Sequence, residues 1–241
     1  MLAIVIRLLG DRKETERVKK KGLRILAAAA VLTFGCLTMN AYAAEGWALS
    51  NNIWTYLDKN GNRVTNEWKK GADNLWRYLN NSGEMAVNSW ADNDYYVDAN
   101  GIMVADKWMQ IVSPYSRDSQ TYWFYFGSSG KVTKDTWKKI DGKSYYFDAD
   151  GIMQTGWTED GDYYLSSSGA MVTGWRYLEP KDEDSSLYGT ESDDGKYWFY
   201  FSASGKKQSP STSDDGGEYK VTKIDGKYYC FDADGRMRTG W

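Results

Sequence analysis

The chain has 241 residues, a formal net charge of −3 and no histidine. That rules out Ser-His-Asp triads, Cys-His dyads and His-ligated metals, and the mild acidity argues against nucleic acid, which calls for a basic face. A mean hydropathy of −0.66 is too polar for an ordinary aliphatic core, yet 12 Trp and 19 Tyr are present against only 7 Phe; rings with an apolar body and a polar edge suit a surface that binds something.

Residues 1–44 differ in texture from the rest. A basic run from Arg17 to Arg24 precedes an apolar stretch from Ile25 to Met39, and Ala41-Tyr42-Ala43-Ala44 supplies a small-x-small cleavage site of the secretory type. The apolar run is shorter than the ~20 residues that span a bilayer, so a signal peptide is expected, with a true start near Val18. Cys36 lacks the spacing of a lipidation site, because Leu32 lies one place too far off and Phe34 is bulky. After cleavage Cys230 is the one remaining cysteine, which excludes an intrachain disulfide.

From Trp47 onward, tryptophans open successive units at Trp47, Trp68, Trp90, Trp108, Trp137, Trp157 and Trp175, 18 to 29 residues apart. An eighth unit is expected to open at Tyr219. Such a period marks a repeat array over residues 45–241. In each unit the Trp leads a short polar strand, a turn such as Asp141-Gly142, an aromatic strand such as Tyr145-Tyr146-Phe147, and a second turn such as Asp148-Ala149-Asp150-Gly151 before Met153. Aromatic alternation between Asp, Asn and Gly turns predicts β-hairpins. One hairpin cannot bury its aromatic face alone, whereas stacked ones can. The expected fold is all-β, a solenoid of stacked hairpins with about eight units. Extra residues at 111–120 and 181–195 read as loop excursions within two of them, and 208–217 as a polar loop. The Asp-x-Asp/Asn-Gly turns at Asp58, Asp98, Asp148 and Asp232 echo the opening of a calcium loop but lack its distal bidentate Glu, so turn chemistry accounts for them.

The phrase "GWTEDGDYYLSSSGAMVTGW" from Gly156 to Trp175 resembles the choline-binding, or cell-wall-binding, repeats of Gram-positive surface proteins. The resemblance covers residues 47–241. It implies a ligand site between successive hairpins, lined by the opening Trp, the first aromatic of the triplet and the third-position Tyr of the next unit, with a Met closing the wall. On that pattern three cages are complete: Trp47, Trp54 and Tyr78; Trp68, Trp76 and Tyr96, backed by Met85; and Trp108, Trp123 and Tyr146. Asp94, Ser144 and Asp162 break the third, fifth and sixth, leaving Trp90, Trp137 and Trp157 mainly as stacking residues unless Asp94 and Asp162 offer a carboxylate to the cation. Cys230 breaks the seventh, at Trp175 and Trp198, and reads as packing.

A quaternary ammonium donates no hydrogen bond, so ring faces are the means of holding it. Three faces at ~0.5–2 kcal/mol each give about 4 kcal/mol, or a dissociation constant on the order of 1 mM. Repetition then supplies avidity of ~10²–10⁴ on a polymer bearing many choline groups. The resemblance thus implies a secreted, wall-associated, non-catalytic module without a cofactor, whose partners are the choline groups of teichoic or lipoteichoic acid. Glycans are an alternative ligand, as in related glucan-binding repeats, because sugar faces stack on the same rings. A third possibility is an adhesive stalk contacting a surface protein through loops 111–120 and 181–195.

Overall fold

The computed structural model describes residues 44–115, 119–181, 194–210 and 219–239. The signal-peptide expectation at 1–43, most of the loop at 181–195, much of 208–217 and Trp241 lie outside these residues. Every regular element among the described residues is a strand. The described residues form two compact units, one from 44–107 with 126–131, the other from 108–125 with 132–239.

The first unit contains three antiparallel hairpins. β1 (Gly46–Ser50) pairs with β2 (Ile53–Leu57), β3 (Glu67–Lys70) with β4 (Trp76–Leu79), and β5 (Ser89–Ala91) with β6 (Tyr95–Val97). The second unit continues the pattern. There β7 (Lys107–Val112) pairs with β8 (Thr121–Phe126), β9 (Thr136–Ile140) with β10 (Lys143–Phe147), β11 (Gly156–Trp157) with β12 (Tyr164–Leu165), and β13 (Gly174–Leu178) with β14 (Tyr197–Phe201). Its last element is a three-stranded meander of β15 (Tyr219–Ile224), β16 (Lys227–Asp232) and β17 (Met237–Arg238). This is the repeated all-β hairpin architecture that the sequence periodicity predicts. Both insertions fall between the two strands of a hairpin, although Ile111 and Val112 extend β7 and leave the loop to begin at Ser113.

The local reasons are visible in the turns. Asp141 and Gly142 join β9 to β10 with φ of 48° and 81°, and Asn51 and Asn52 join β1 to β2 with φ of 49° and 63°. Two consecutive left-handed residues make the tight turn whose twist matches that of the flanking strands. At the second turn of each unit, Asp58 Oδ1 accepts the backbone N–H groups of Asn60 and Asn62. Asp98, Asp148 and Asp232 repeat that arrangement with residues two and four further on. These carboxylates therefore serve their own turns, and the bonds from Asn62 are the leading cause that draws the Asp58 carboxyl below its ordinary value.

Each aromatic strand carries four positions that recur along the chain. The first three follow the triplet, such as Trp123-Phe124-Tyr125, and the fourth is Leu79, Val97, Phe126, Phe147, Leu165, Phe201 or Phe231, all at most 1% exposed. These fourth residues form the buried line of seven units, while Leu57, the fourth position of the first, is half-buried. The third position sits opposite the opening Trp in the ladder, as in Trp68↔Tyr78, Trp137↔Tyr146 and Trp175↔Tyr200.

The eighth unit departs from expectation. Cys230 occupies the third position and pairs with Val221, not Tyr219, which lies opposite Asp232. Counting back from the shared Ile-Asp-Gly turn explains this, since Val221 stands three residues before Ile224 as Trp137 does before Ile140. The last unit therefore has no ring at its opening position. Cys230 itself is 2% exposed and packs in the sheet.

Successive turns lock through glycine. A Cβ on Gly205, at φ 83°, would collide with the Met171 side chain, whereas one on Gly226, at φ 82°, would meet nothing within 4 Å. Both substitutions carry the left-handed penalty of about 1–2 kcal/mol, and Gly205→Ala adds an overpacking cost of about 1–3 kcal/mol. Chemical denaturation should show Gly205→Ala to be clearly the more damaging of the two.

Candidate functional site

The opening tryptophan of a hairpin meets rings from two hairpins. From its own it takes the third-position Tyr. From the next it takes the second and fourth positions, which lie on the other face of that strand. Trp108 shows the full set: Trp123 at 6.4 Å and 82°, Tyr125 at 5.2 Å, then Tyr145 at 4.9 Å and 67° and Phe147 at 5.6 Å from the following hairpin. Trp175 repeats it with Trp198 at 6.3 Å and 83°, Tyr200 at 5.1 Å, Tyr229 at 4.7 Å and 62°, and Phe231 at 5.9 Å. Two indoles at right angles and a phenol across from them make three walls of a box. Trp123 and Trp198 are 43% and 44% exposed, so each box is open to solvent on the side of its outer indole.

A methionine lies beside several of the junctions by a constant backbone bond. The N–H of Met153 donates to Trp123 O, that of Met103 to Trp76 O and that of Met85 to Trp54 O. The wall residue therefore comes from the turn of the following hairpin.

This geometry changes the membership of the three expected cages. Of Trp47, Trp54 and Tyr78, the last pairs with Trp68 in its own hairpin at 5.1 Å. Trp47 packs edge-on to Tyr56 at 5.6 Å and 90° and donates its indole N–H to Lys70 O. The second position of the following strand is Arg77, clamped by Asp73 at 2.7 and 2.9 Å, so this junction lacks a third ring there. For the second cage, Trp68 meets Tyr95 at 5.4 Å and 67°, while Tyr96 belongs to Trp90 at 5.8 Å. The Met at Trp76 is Met103, with Met85 one junction earlier, and the Lys70 ammonium lies 4.9 Å over the Trp76 ring. In the third, Trp108 and Trp123 come together as expected but Tyr145 closes the box, and Tyr146 packs on Trp137 at 5.3 Å.

The seventh junction, set aside in the sequence because of Cys230, closes with Tyr229. The signal that finds it is the second triplet position, where Tyr95, Tyr145, Tyr163 and Tyr229 recur. Trp137 meets Tyr163 at 5.1 Å. Ser144 stands where an outer indole would be, and Trp137 and Tyr146 line a cleft of about 380 Å3 together with Thr158, Glu159 and Asp160. Asp94 and Asp162, which also replace outer indoles, pair with Lys131 at 3.1 Å and Lys206 at 3.0 Å. Trp90 packs on Phe126 at 5.6 Å, and Trp157 on Phe199 and Phe201 at 5.0 and 5.7 Å. Among the described residues no group of three or more His, Cys, Asp or Glu is placed to hold a metal ion.

Residues 44–90 and 132–174 match the choline-binding repeat model. No curated protein matches the chain by sequence. Among solved structures, choline binding protein F from Streptococcus pneumoniae, in the presence of a peptidoglycan analogue, is similar at 30% identity with a TM-score of 0.52, over 77% of this chain and 55% of that one. CbpJ from Streptococcus pneumoniae TIGR4 is similar at 25% identity and TM-score 0.54, over 80% and 58%. The choline-binding domain of CbpL from Streptococcus pneumoniae shares the fold at 24% identity and TM-score 0.51, over 83% of this chain and all of that domain. The chain thus spans little more than half of the first two proteins and the whole of the isolated domain. Residues 44–90 and 132–174 are thus choline-binding repeats by their sequence match, and the hairpin array that carries them is similar to these choline-binding proteins.

Proposed function

We propose that residues 45–241 act as a secreted binding module that attaches to choline-bearing teichoic or lipoteichoic acid at the cell wall, without catalysis of its own. The single observation that carries this reading is the duplicated box at Trp108 and Trp175. Two sites 67 residues apart in sequence repeat the same indole-to-indole distance, 6.4 and 6.3 Å, and angle, 82° and 83°. Packing alone would not require the outer indole of each to stay more than two-fifths exposed. An onium head satisfies both facts, because it gains from ring faces and needs no hydrogen bond.

The turn carboxylates that follow the box residues Phe147 and Phe231 are Asp148 and Asp232, and each accepts backbone N–H groups of its own turn. The walls of both boxes are ring faces rather than oxygen ligands. That favours the soft, weakly hydrated quaternary ammonium over a cation that demands oxygen ligands. The three-ring arithmetic of about 4 kcal/mol and millimolar affinity applies to each box, and attachment comes from occupying several at once.

Trp175→Ala and Trp108→Ala should each remove one box and weaken retention on a quaternary-amine resin, while the double variant should elute at the lowest free choline concentration. Wild-type tryptophan fluorescence should change over millimolar choline. An unchanged spectrum in choline with a response to glucan fragments would transfer the site to carbohydrate. Cys230→Ser should leave choline uptake intact, since Tyr229 and not residue 230 faces Trp175.

Arg77→Tyr should add a ring at the first junction and raise choline stoichiometry there. The same variant tests the Asp73 clamp. The Arg77 guanidinium holds the Asp73 carboxyl at about 2 against an ordinary 3.8, so its stabilisation is present above the ordinary value and lost as pH falls through about 2. An NMR titration of Arg77→Tyr should return Asp73 to the usual carboxylate range.

A further inference from the structure

We propose that the junction at Trp157 is a cation site already filled by the chain itself, with the Lys207 ammonium standing where other junctions would admit an external onium group. This rests on the choline reading for the open boxes and goes beyond it, since it says which junction takes no ligand and why.

Lys207 occupies the methionine slot by three independent measures. Its backbone N–H donates to Asp162 O, the first-position carbonyl, as those of Met85, Met103, Met153 and Met171 do to Trp54, Trp76, Trp123 and Ser144. Its isolated bridge to Phe201 matches those of Met153 with Phe147 and Met171 with Leu165. A Cβ on Gly235 of the following turn would press on its Cδ and Cε at 2.8 and 2.9 Å, just as one on Gly205 or Gly169 would strike Met171 or Met153. A thioether elsewhere is here an aliphatic stem ending in a charge.

That charge is directed at the ring. Lys207 Nζ lies 5.2 Å from the Trp157 ring centroid, within the range of a cation–π contact. The indole is held in place by Phe199 at 5.0 Å and 72°, by Tyr164 at 5.2 Å, and by a hydrogen bond from its N–H to Glu179 O at 2.9 Å. Beneath it lies a buried cluster of Val172, Phe199 and Phe201. Burial lowers the Lys207 pKa, and Asp234, Asp162 and Asp232 oppose that lowering. The neighbouring Lys206 is different in kind: it is exposed and makes a surface ion pair with Asp162.

The consequence is a division of labour among junctions. Those at Trp108 and Trp175 present open boxes that gain a cation only when ligand is present. The Trp157 junction between them in sequence carries its own cation, so its hairpins hold together whether or not choline is bound.

The test compares wild type with Lys207→Met, which restores the common wall residue, Lys207→Ala, which removes the ammonium without a new side chain to fit, and Lys206→Met as control. Near-UV circular dichroism first establishes that each variant is folded. Because Asp162 stands where an outer indole would be, each background also carries Asp162→Trp to supply that ring. Titration calorimetry with choline should then give one additional equivalent when Asp162→Trp is combined with Lys207→Met or Lys207→Ala, and none with Asp162→Trp alone or with Lys206→Met. Equal stoichiometry of Asp162→Trp alone and of both Lys207 combinations overturns the proposal. A choline-independent measurement separates this from the reading it rests on. The Lys207 ε-CH2 protons should show an upfield ring-current shift in wild type that vanishes in Trp157→Ala; unshifted resonances overturn the placement. Should wild type bind no choline while that shift is present, the choline reading falls and the internal cation–π contact stands.

Discussion

The structure depends on one constraint: no single hairpin of this chain can cover its opening tryptophan. Each indole has rings of its own hairpin on one side and needs the second and fourth positions of the next strand on the other. Trp108 and Trp175 meet both sets, and Trp157 does so through Phe199 and Phe201. Edge-to-face pairs of this kind contribute about 0.5–1.5 kcal/mol each beyond the area they bury. Stability is therefore shared between neighbours, as in other linear repeat arrays, and the residues that stack hairpins are the same ones that wall the boxes.

This double use explains why the junctions can diverge without loss of the fold. The fourth position stays aliphatic or Phe throughout and is buried in all but the first hairpin, while the first position, half outside the core, varies among Trp, Asp, Ser and Tyr. At Trp123 with Tyr145 and at Trp198 with Tyr229 a box stands open, whereas at Trp76 the Lys70 ammonium lies over the outer indole. Where the first position is Asp, a lysine from the following turn pairs with it, at Asp94–Lys131 and Asp162–Lys206. Such exposed pairs add little stability. Their effect is to put a fixed polar contact where a ring would otherwise line a site.

Much of the fold was legible because its signals are local. Asp-Gly and Asn-Asn turns need positive φ and nothing distant, so hairpin limits follow from residues such as Asp141-Gly142. The third position facing the opening Trp also follows from alternation and turn length. The eighth unit shows the limit of counting from an aromatic: Tyr219 is a ring in nearly the right place, yet register is set from the turn outward, and that puts Val221 opposite Cys230.

By itself, the sequence determined that the chain is an all-β hairpin array, where its turns lie, and that Trp108 and Trp123 share one junction, while it set the junction of Trp175 and Trp198 aside. Only the tertiary structure decided which phenol closes each box. Tyr145 and Tyr146 are adjacent, equally aromatic and on opposite faces of one strand. Nothing in a strand's own alternation says which face the preceding hairpin will meet. Stacking decides it, setting Tyr145 against Trp108 and turning Tyr146 back to Trp137. It likewise sets Lys207 over Trp157, because a side chain's neighbour across a junction is fixed by how two hairpins pack.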